Sequence, residues 1–187
     1  MGKRGSKLKP EVLDNLVQTT RFSRQEIKEW YKEFARDFPT GFINADQFKE
    51  LYGQFYPDGD AAMFAQHTFR VFDENGDGTI DFREFLTALS VTSRGTVDDK
   101  LKWLFSLYDH DGNGSISRAE MVEIIKSINS MVKNNNNTMT AEERVALIYS
   151  KMDQNDDGDI TVEEFVEAAK SDHALSAMLH TDKVGVA

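Results

Sequence analysis

The chain has no cysteine among its 187 residues, which removes disulfides, thiolate zinc sites and cysteine nucleophiles together. No apolar run approaches the roughly 18 residues of a spanning helix, and the N-terminus lacks the apolar core of about 7–15 residues that marks a secretory signal. An intracellular, soluble protein is expected, held on a membrane by something other than a span. Positive charge is also scarce: 22 Lys and Arg face 32 Asp and Glu, giving a formal charge of -10 and a sequence pI near 4.9. A nucleic-acid surface needs clustered cations, so that class of partner is excluded. No nucleophile–base pair or phosphate loop is evident, and an enzyme is not expected. Asn113-Gly114-Ser115 and Asn136-Asn137-Thr138 match the glycosylation acceptor pattern, but without a secretory leader both are read as chance.

What is present is a repeat. Gly-x-Ile steps recur at Gly41-Phe42-Ile43, Gly78-Thr79-Ile80, Gly114-Ser115-Ile116 and Gly158-Asp159-Ile160, a period typical of repeated supersecondary units. Apolar residues at helical spacing flank each step, as with Trp30, Tyr31 and Phe34 before the first and Phe48, Leu51, Tyr52 and Phe55 after it. The unit therefore reads helix, loop, helix. Capping boxes mark the helix starts: Ser23 with Glu26 and Thr140 with Glu143 open incoming helices, and Asn44 with Gln47, Ser117 with Glu120 and Thr161 with Glu164 open outgoing ones. Pro10 suits the first position of a short extra helix carrying Val12, Leu13, Leu16 and Val17. Two stretches read as connectors, Ser90 to Asp99 and the asparagine-rich run after Lys133. At 187 residues and 40% hydrophobic the chain could form one core or two lobes, and the first connector, which separates repeats one and two from three and four, favours two lobes of two repeats each.

Three loops carry the chemistry: DENGDGTIDFRE, DHDGNGSISRAE and DQNDDGDITVEE. Each matches the calcium loop D-x-[DN]-x-[DN]-G-x5-E of the EF-hand, and one chance match is expected on the order of once in 10⁵ to 10⁶ windows. Calcium takes six to eight hard oxygens, which the loop offers at fixed offsets with a bidentate Glu at the twelfth position. The expected ligands are Asp73, Asn75, Asp77, the Thr79 carbonyl, Asp81 and Glu84 in the second repeat. They are Asp109, Asp111, Asn113, the Ser115 carbonyl, Ser117 and Glu120 in the third, and Asp153, Asn155, Asp157, the Asp159 carbonyl, Thr161 and Glu164 in the fourth. The seven-ligand set favours Ca2+, with Mg2+ occupancy open at resting calcium.

In the same register the first repeat places Arg36, Phe38, Thr40 and Gln47 at positions one, three, five and twelve. No carboxylate remains at those positions, Arg36 repels a cation, and Pro39 fixes a backbone angle. The loop is expected to hold no metal. Gly41, Ile43 and the Asn44–Gln47 cap survive, so the outgoing helix can start without one, and a strand contact is expected between Ile43 and Ile80.

Met1 to Ser6 satisfies the myristoylation pattern with Gly2 as acceptor. Lys3, Arg4, Lys7 and Lys9 beside it form a basic cluster in an acidic chain. One acyl chain alone binds membranes only marginally, so the two signals together read as a reversible anchor. About half of the eleven first-lobe aromatics (Trp30, Tyr31, Phe34, Phe48, Tyr52, Phe55, Phe64, Phe69, Phe72, Phe82, Phe85) are assigned to core, the surplus to an apolar groove. Met121, Met131, Met152 and Met178 are read as core filler. The four histidines, His67, His110, His173 and His180, show no zinc spacing, and His110 is expected to face solvent.

The chain resembles the neuronal calcium sensor family, most closely its hippocalcin, neurocalcin and visinin-like branch. The residues that carry the likeness are MGKRGSKLKPEVL, EWYKEF, DFPTGFINADQFK, DENGDGTIDFREFLTALSVTSRG, LYDHDGNGSISRAEM and EEFVEAAKSD. The resemblance implies an all-α fold of four EF-hand helix-loop-helix units in two paired lobes, with short antiparallel strand contacts between paired loops. It implies an inactive first hand, covalent myristate on Gly2 and calcium-driven membrane attachment. Partners would be the membrane surface and an amphipathic helix of a receptor kinase, guanylate cyclase, channel or trafficking protein, and a homodimer is left open. Family first hands usually carry Cys-Pro where this chain has Phe38-Pro39, so a redox role for that cysteine cannot operate here.

The expected organisation is an acylated arm and short helix over 1–22, an inactive hand over 23–58, and hands over 59–92, 93–135 and 136–172. A C-terminal helix and tail follow over 173–187. The expected function is a calcium sensor with a calcium-myristoyl switch, cytoplasmic and reversibly peripheral on the membrane. The alternatives are a constitutive regulatory subunit of a phosphatase or channel, and a simple calcium buffer.

Overall fold

A computed structural model of the chain describes residues 7–132 and 138–179. The expected acyl acceptor Gly2, the basic residues Lys3 and Arg4, the asparagine run and the tail beyond Leu179 lie outside the described residues. A short helix α1 (Pro10–Thr19) precedes four helix-loop-helix units. These are α2 (Arg24–Asp37) with α3 (Ala45–Phe55), α4 (Ala62–Phe72) with α5 (Phe82–Arg94), α6 (Val97–Tyr108) with α7 (Arg118–Met131), and α8 (Ala141–Met152) with α9 (Val162–Ser171). A last helix, α10 (His173–Met178), follows, starting on Asp172, whose side chain accepts from the Ala174 and Leu175 amides.

Each loop contributes a three-residue strand: β1 (Phe42–Asn44), β2 (Thr79–Asp81), β3 (Ser115–Ser117) and β4 (Asp159–Thr161). β1 pairs antiparallel with β2 and β3 with β4, with Ile43 opposite Ile80 and Ile116 opposite Ile160. These four isoleucines are fully buried. Side chains alternate across a strand, so the middle residue points into the lobe while its neighbours stay at the loop surface. The expected Ile43–Ile80 contact is therefore present, and the pairing defines two lobes.

All five expected capping boxes form, and two more join them, Asp81 with Glu84 and Thr96 with Asp99. The second of these corrects the connector expected over Ser90 to Asp99. α5 runs on to Arg94 and α6 begins at Val97, so only Gly95 and Thr96 connect them. The polar stretch stays helical because its hydroxyls are satisfied locally. Thr92 Oγ1 donates to the Ala88 carbonyl at 3.0 Å and Ser93 Oγ to that of Leu89, while Ser90 Oγ accepts from the Arg21 amide at 2.8 Å.

The first lobe is built on aromatic rings. Phe34, Phe48, Tyr52, Phe64, Phe72 and Phe82 are buried, and Trp30, Tyr31, Phe69 and Phe85 pack half-buried against them. Phe55 stands 72% exposed. The second lobe mixes rings with aliphatics: Phe105, Tyr108, Tyr149 and Phe165 are buried, and so are Met121, Met131 and Met152 with Ile124, Ile125, Ile128 and Ile148, the methionines as core filler should be. The lobes share a seam in which α4 lies against α6 and α7. There the Asp60 amide donates to the Ser130 carbonyl at 2.9 Å, Arg70 Nη2 donates to the Ser106 carbonyl at 2.9 Å, and Phe72 meets Trp103 edge-on at 6.2 Å.

The seam closes through Gly59, where a Cβ would come within 1.9 Å of the Met131 carbonyl oxygen. Gly53, exposed within α3, has nothing within 4 Å of the same position. Gly59→Ala is expected to lower stability by about 1–3 kcal/mol through overpacking. Gly53→Ala should raise it by about 0.5–1 kcal/mol through helix propensity. Urea unfolding midpoints of the two variants should shift in opposite directions, and shifts of the same sign would contradict the seam as described.

Candidate metal centres

The three acidic loops repeat one hydrogen-bond pattern. Both oxygens of the first-position aspartate accept from the backbone amides at positions five and six. Asp73 takes Asp77 N and Gly78 N at 3.1 and 2.9 Å, Asp109 takes Asn113 N and Gly114 N at 3.2 and 3.0 Å, and Asp153 takes Asp157 N and Gly158 N at 3.2 and 3.0 Å. The third-position oxygen of Asn75, Asp111 or Asn155 accepts from the same fifth amide at 2.8–3.1 Å. The fifth-position oxygen of Asp77, Asn113 or Asp157 accepts from the seventh amide. Such side-chain-to-backbone bonds curl the chain so that successive carboxylates and amides face a common centre.

The curl requires a left-handed residue at position six, supplied by Gly78, Gly114 and Gly158 at φ 84–91°. The fourth loop also places Asp156 at φ 59° where its counterparts have glycine. Aspartate tolerates that conformation better than most residues because its short side chain can bond locally.

The twelfth-position glutamate joins the two ends of each loop. Glu84 Oε2 accepts from the Asp81 amide at 2.9 Å, capping α5, while Oε1 accepts from Asn75 N at 3.2 Å. Glu120 Oε2 accepts from the Ser117 amide and hydroxyl at 2.8 and 2.7 Å, and Oε1 from the amides of His110 and Asp111. Glu164 binds Thr161 in the same way and reaches Gln154 N. In the third loop Asp109, Asp111 and Glu120 each bring one carboxylate oxygen within 4.8 Å of the others, the only such group among the described residues. Oxygens across a calcium ion lie up to about 5 Å apart, so this donor set fits a hard divalent cation.

The first loop keeps the shape and not the ligands. Gly41 has the same left-handed turn at φ 88°, and Asn44 and Gln47 complete their reciprocal cap at 2.9 and 3.0 Å. Closure comes from backbone, with the Gly41 amide donating to the Phe38 carbonyl at 2.9 Å. The Asp37 carboxylate, at the second position, is held by Arg36 at 2.8 Å, and Phe38 packs on Phe34. Sequence reading missed the Asp81–Glu84 cap because Asp81 was taken only as a ligand, although D-x-x-E carries the signal.

The glutamates differ in acidity. Burial pushes the Glu84 carboxyl above its ordinary value, aided by the neighbouring charges of Asp81 and Asp73 and opposed by two amide bonds. Burial also pushes Glu120 upward, but the bonds from Ser117, Asp111 and His110 outweigh it and leave the group below its ordinary value. Ser117 can donate a hydroxyl where Asp81 adds a charge. A raised carboxyl pKa means that ionised Glu84 opposes folding above that pKa, and the penalty is relieved as pH falls. Protons must leave before a carboxylate can bind metal. Divalent-ion affinity of the second loop is therefore expected to fall at higher pH than that of the third. Calcium titrations of Glu120→Gln and Glu84→Gln across about pH 5 to 7 measure this, and coincident pH profiles would refute the assignment.

Known families agree with this geometry. An EF-hand domain pair matches residues 98–170 and an EF hand domain matches residues 64–92. Neuronal calcium sensor 1 of Lymnaea stagnalis is 49% identical over 176 residues, covering 92% of this chain and 92% of that protein. Recoverin of Homo sapiens is 48% identical over 125 residues, 67% of this chain, and the match spans 62% of recoverin's own length. Visinin of Gallus gallus is 46% identical over 129 residues, 69% of this chain and 67% of visinin. Three acidic loops, a fourth without ligands and this degree of identity along nearly the whole length lead to one conclusion: the chain belongs to the neuronal calcium sensor family.

Proposed function

We propose that the protein is a calcium sensor that loads ions in its second, third and fourth hands and answers by exposing an acyl chain and an apolar surface. The ligands would be those of the three acidic loops, from Asp73 to Glu84, Asp109 to Glu120 and Asp153 to Glu164, with magnesium an occupant at rest. The hands would span 59–92, 93–135 and 136–172, with the metal-free hand over 23–58.

One observation carries the reading. Phe82 and Phe85 flank Glu84 on the first turn of α5 and pack against α2, with Tyr31–Phe82 at 5.0 Å, Phe34–Phe82 at 5.4 Å, Phe34–Phe85 at 5.5 Å and Trp30–Phe85 at 6.3 Å between ring centres. Bound calcium supplies a double positive charge that the Glu84 oxygens can coordinate. Glu84 is now tied to Asn75 and to the Asp81 cap, so a shift of its carboxylate is carried into the first turn of α5. Phe82 and Phe85 ride on that turn, and the aromatic packing between α2 and α5 is the part that opens. The aromatic groove of this lobe would hold the acyl chain on Gly2 at rest, and once opened it would release that chain and suit an amphipathic target helix. Phe55 and Met63, 72% and 52% exposed at the facing ends of α3 and α4, add apolar surface to the same lobe.

The membrane side of the reading rests on charge. Lys7, Lys28, Lys32 and Arg36 rim a cleft of about 530 Å³ whose apolar lining is Leu8, Leu13, Tyr31 and Ala35. It opens where the N-terminal arm joins α1. Among the described residues no helix is long and apolar enough to cross a membrane, so attachment would need the acyl chain and these cations together. Three bound ions would bring the formal charge from -10 to about -4, easing approach to anionic lipid. Target identity follows only by likeness to relatives: a receptor kinase, guanylate cyclase, channel or trafficking protein.

The test is sedimentation of the myristoylated protein with phosphatidylserine-containing liposomes. Calcium should raise the bound fraction several-fold over chelator, Gly2→Ala should abolish the rise, and Glu84→Gln or Glu120→Gln should each reduce it. Lys28→Glu with Lys32→Glu should weaken the calcium-bound form by about 1 kcal/mol per charge or more. Equal sedimentation in calcium and chelator would defeat the switch. If calcium also failed to increase binding of a hydrophobic dye, a simple buffer would be the better description.

A further inference from the structure

We infer that the cleft between α1 and α2 is a site for one molecule of a single-chain anionic amphiphile, taken up as a monomer, with its chain against Leu8 and Leu13 and its head group on Lys28 and Lys32. The cleft, of about 530 Å³, is lined by both helices and by the stretch before α1. On α2 the lining residues Lys28, Tyr31, Lys32 and Ala35 recur at intervals of three and four, which makes them one stripe of that helix. Glu29 and Glu33 fall outside the stripe, and Glu29 is engaged by Gln25, whose Nε2 donates to it at 2.7 Å.

The charge of the stripe runs against that of the protein. Lys28, Lys32 and Arg36 follow one another four residues apart in a chain of formal charge -10, and like charges at that spacing repel. Asp37 relieves Arg36 at 2.8 Å. Lys28, Lys32 and Lys7 are exposed and make no ion pair among the described residues, whereas Arg21, Lys126, Lys151 and Lys170 all have carboxylate partners. No carboxylate lines the cleft. Three cations left together around one opening are complementary to an anion.

The apolar lining decides what kind of anion. Leu13 is buried, and Leu8, Tyr31 and Ala35 are half-buried. An inorganic ion would answer the lysines and leave this lining wet, whereas an amphiphile answers both. The volume equals that of about 18 water molecules. That accommodates one chain of about ten to twelve carbons with its head group, and falls short of the two long chains of a membrane phospholipid.

Tyr31 also ties the cleft to the second hand, since its ring meets Phe82 on the first turn of α5 at 5.0 Å. Filling the cleft and moving α5 are then coupled, and coupling of affinities is reciprocal. That consequence rests on the function proposed above, whereas the site itself needs neither calcium nor a bilayer.

The experiment is calorimetric titration of the full, unacylated chain in chelator with alkyl phosphates below their micelle concentrations. One decyl phosphate should bind per chain, about tenfold more tightly than octyl phosphate. Octanol should bind at least about tenfold more weakly than octyl phosphate. Lys28→Gln with Lys32→Gln should weaken decyl phosphate binding about tenfold or more, and Ala35→Leu, which narrows the cleft without changing charge, should weaken it as well. Lys100→Gln with Lys126→Gln, an equal change of charge on the second lobe, should leave it within about twofold. Decanoate identifies the source of the head group: tighter binding of decyl phosphate assigns a lysophosphatidate, tighter binding of decanoate a fatty acid, and either supports the site. Absence of monomer binding, octanol binding as tightly as octyl phosphate, or equal losses in the two lysine pairs would overturn it. Each of those outcomes leaves calcium-dependent liposome sedimentation to be judged separately.

Discussion

Every outgoing helix in this protein begins on a side chain three residues past its cap, and the rest of the structure hangs on that point. In three hands the side chain is a glutamate whose second oxygen reaches back to the entering turn of the loop. Loop and helix therefore cannot move independently, and whatever claims the carboxylate also moves the helix. The reciprocal cap contributes on the order of 1 kcal/mol per helix, small against the core but sufficient to decide where a helix starts. The strand pairs then transmit the position of each loop to its neighbour through isoleucines with no exposed surface.

The lobes differ in what they pack around this arrangement. Rings in the first lobe meet edge to face and tilted, contacts that keep a preferred geometry and break discretely when an element turns. The second lobe has fewer buried rings, Phe105, Tyr108, Tyr149 and Phe165, alongside branched aliphatics and methionines, of which methionine adapts the most readily. α4 belongs to the first lobe and leans on the second, so the seam makes a single continuous core of the two. Ion pairs add tethers at the ends: Arg94 bonds Glu26 and the Arg21 carbonyl, and Arg21 bonds Asp99, joining the turn after α1 to the ends of α5 and α6. These pairs are exposed and add little stability. They do fix which ends meet.

Much of this was legible in the sequence because the informative signals are local. A cap spans three residues and a calcium loop twelve, so Ser117 with Glu120 or Asp109 through Glu120 announce themselves without any fold. The first loop could be read as metal-free for the same reason, since Arg36 and Phe38 stand where ligands belong. Thr96 with Asp99 escaped notice because aspartate does the work usually given to glutamate, and with it went the true end of α5. What could not be read lies across the seam. His67 and Glu123, or Gly59 and the Met131 carbonyl, meet only after both lobes have folded, and no periodicity records such meetings. The opposite shifts of Glu84 and Glu120 likewise depend on burial and on one hydroxyl, Ser117, in place of a carboxylate, Asp81.

The pairing of a ligand-free loop with an acidic one has a consequence for the shape of the response. β1 joins β2, so in the first lobe only one strand of the ladder ends in a loop with a charge to neutralise. Cooperativity needs two ligand-dependent sites sharing a two-state element. The first lobe has one, so any steepness in its filling would have to reach it across the seam. β3 joins β4 with acidic loops on both sides, and that lobe can fill steeply. Were all three acidic loops to take ions, the steep part of the response would originate in the second lobe and travel outward through α4.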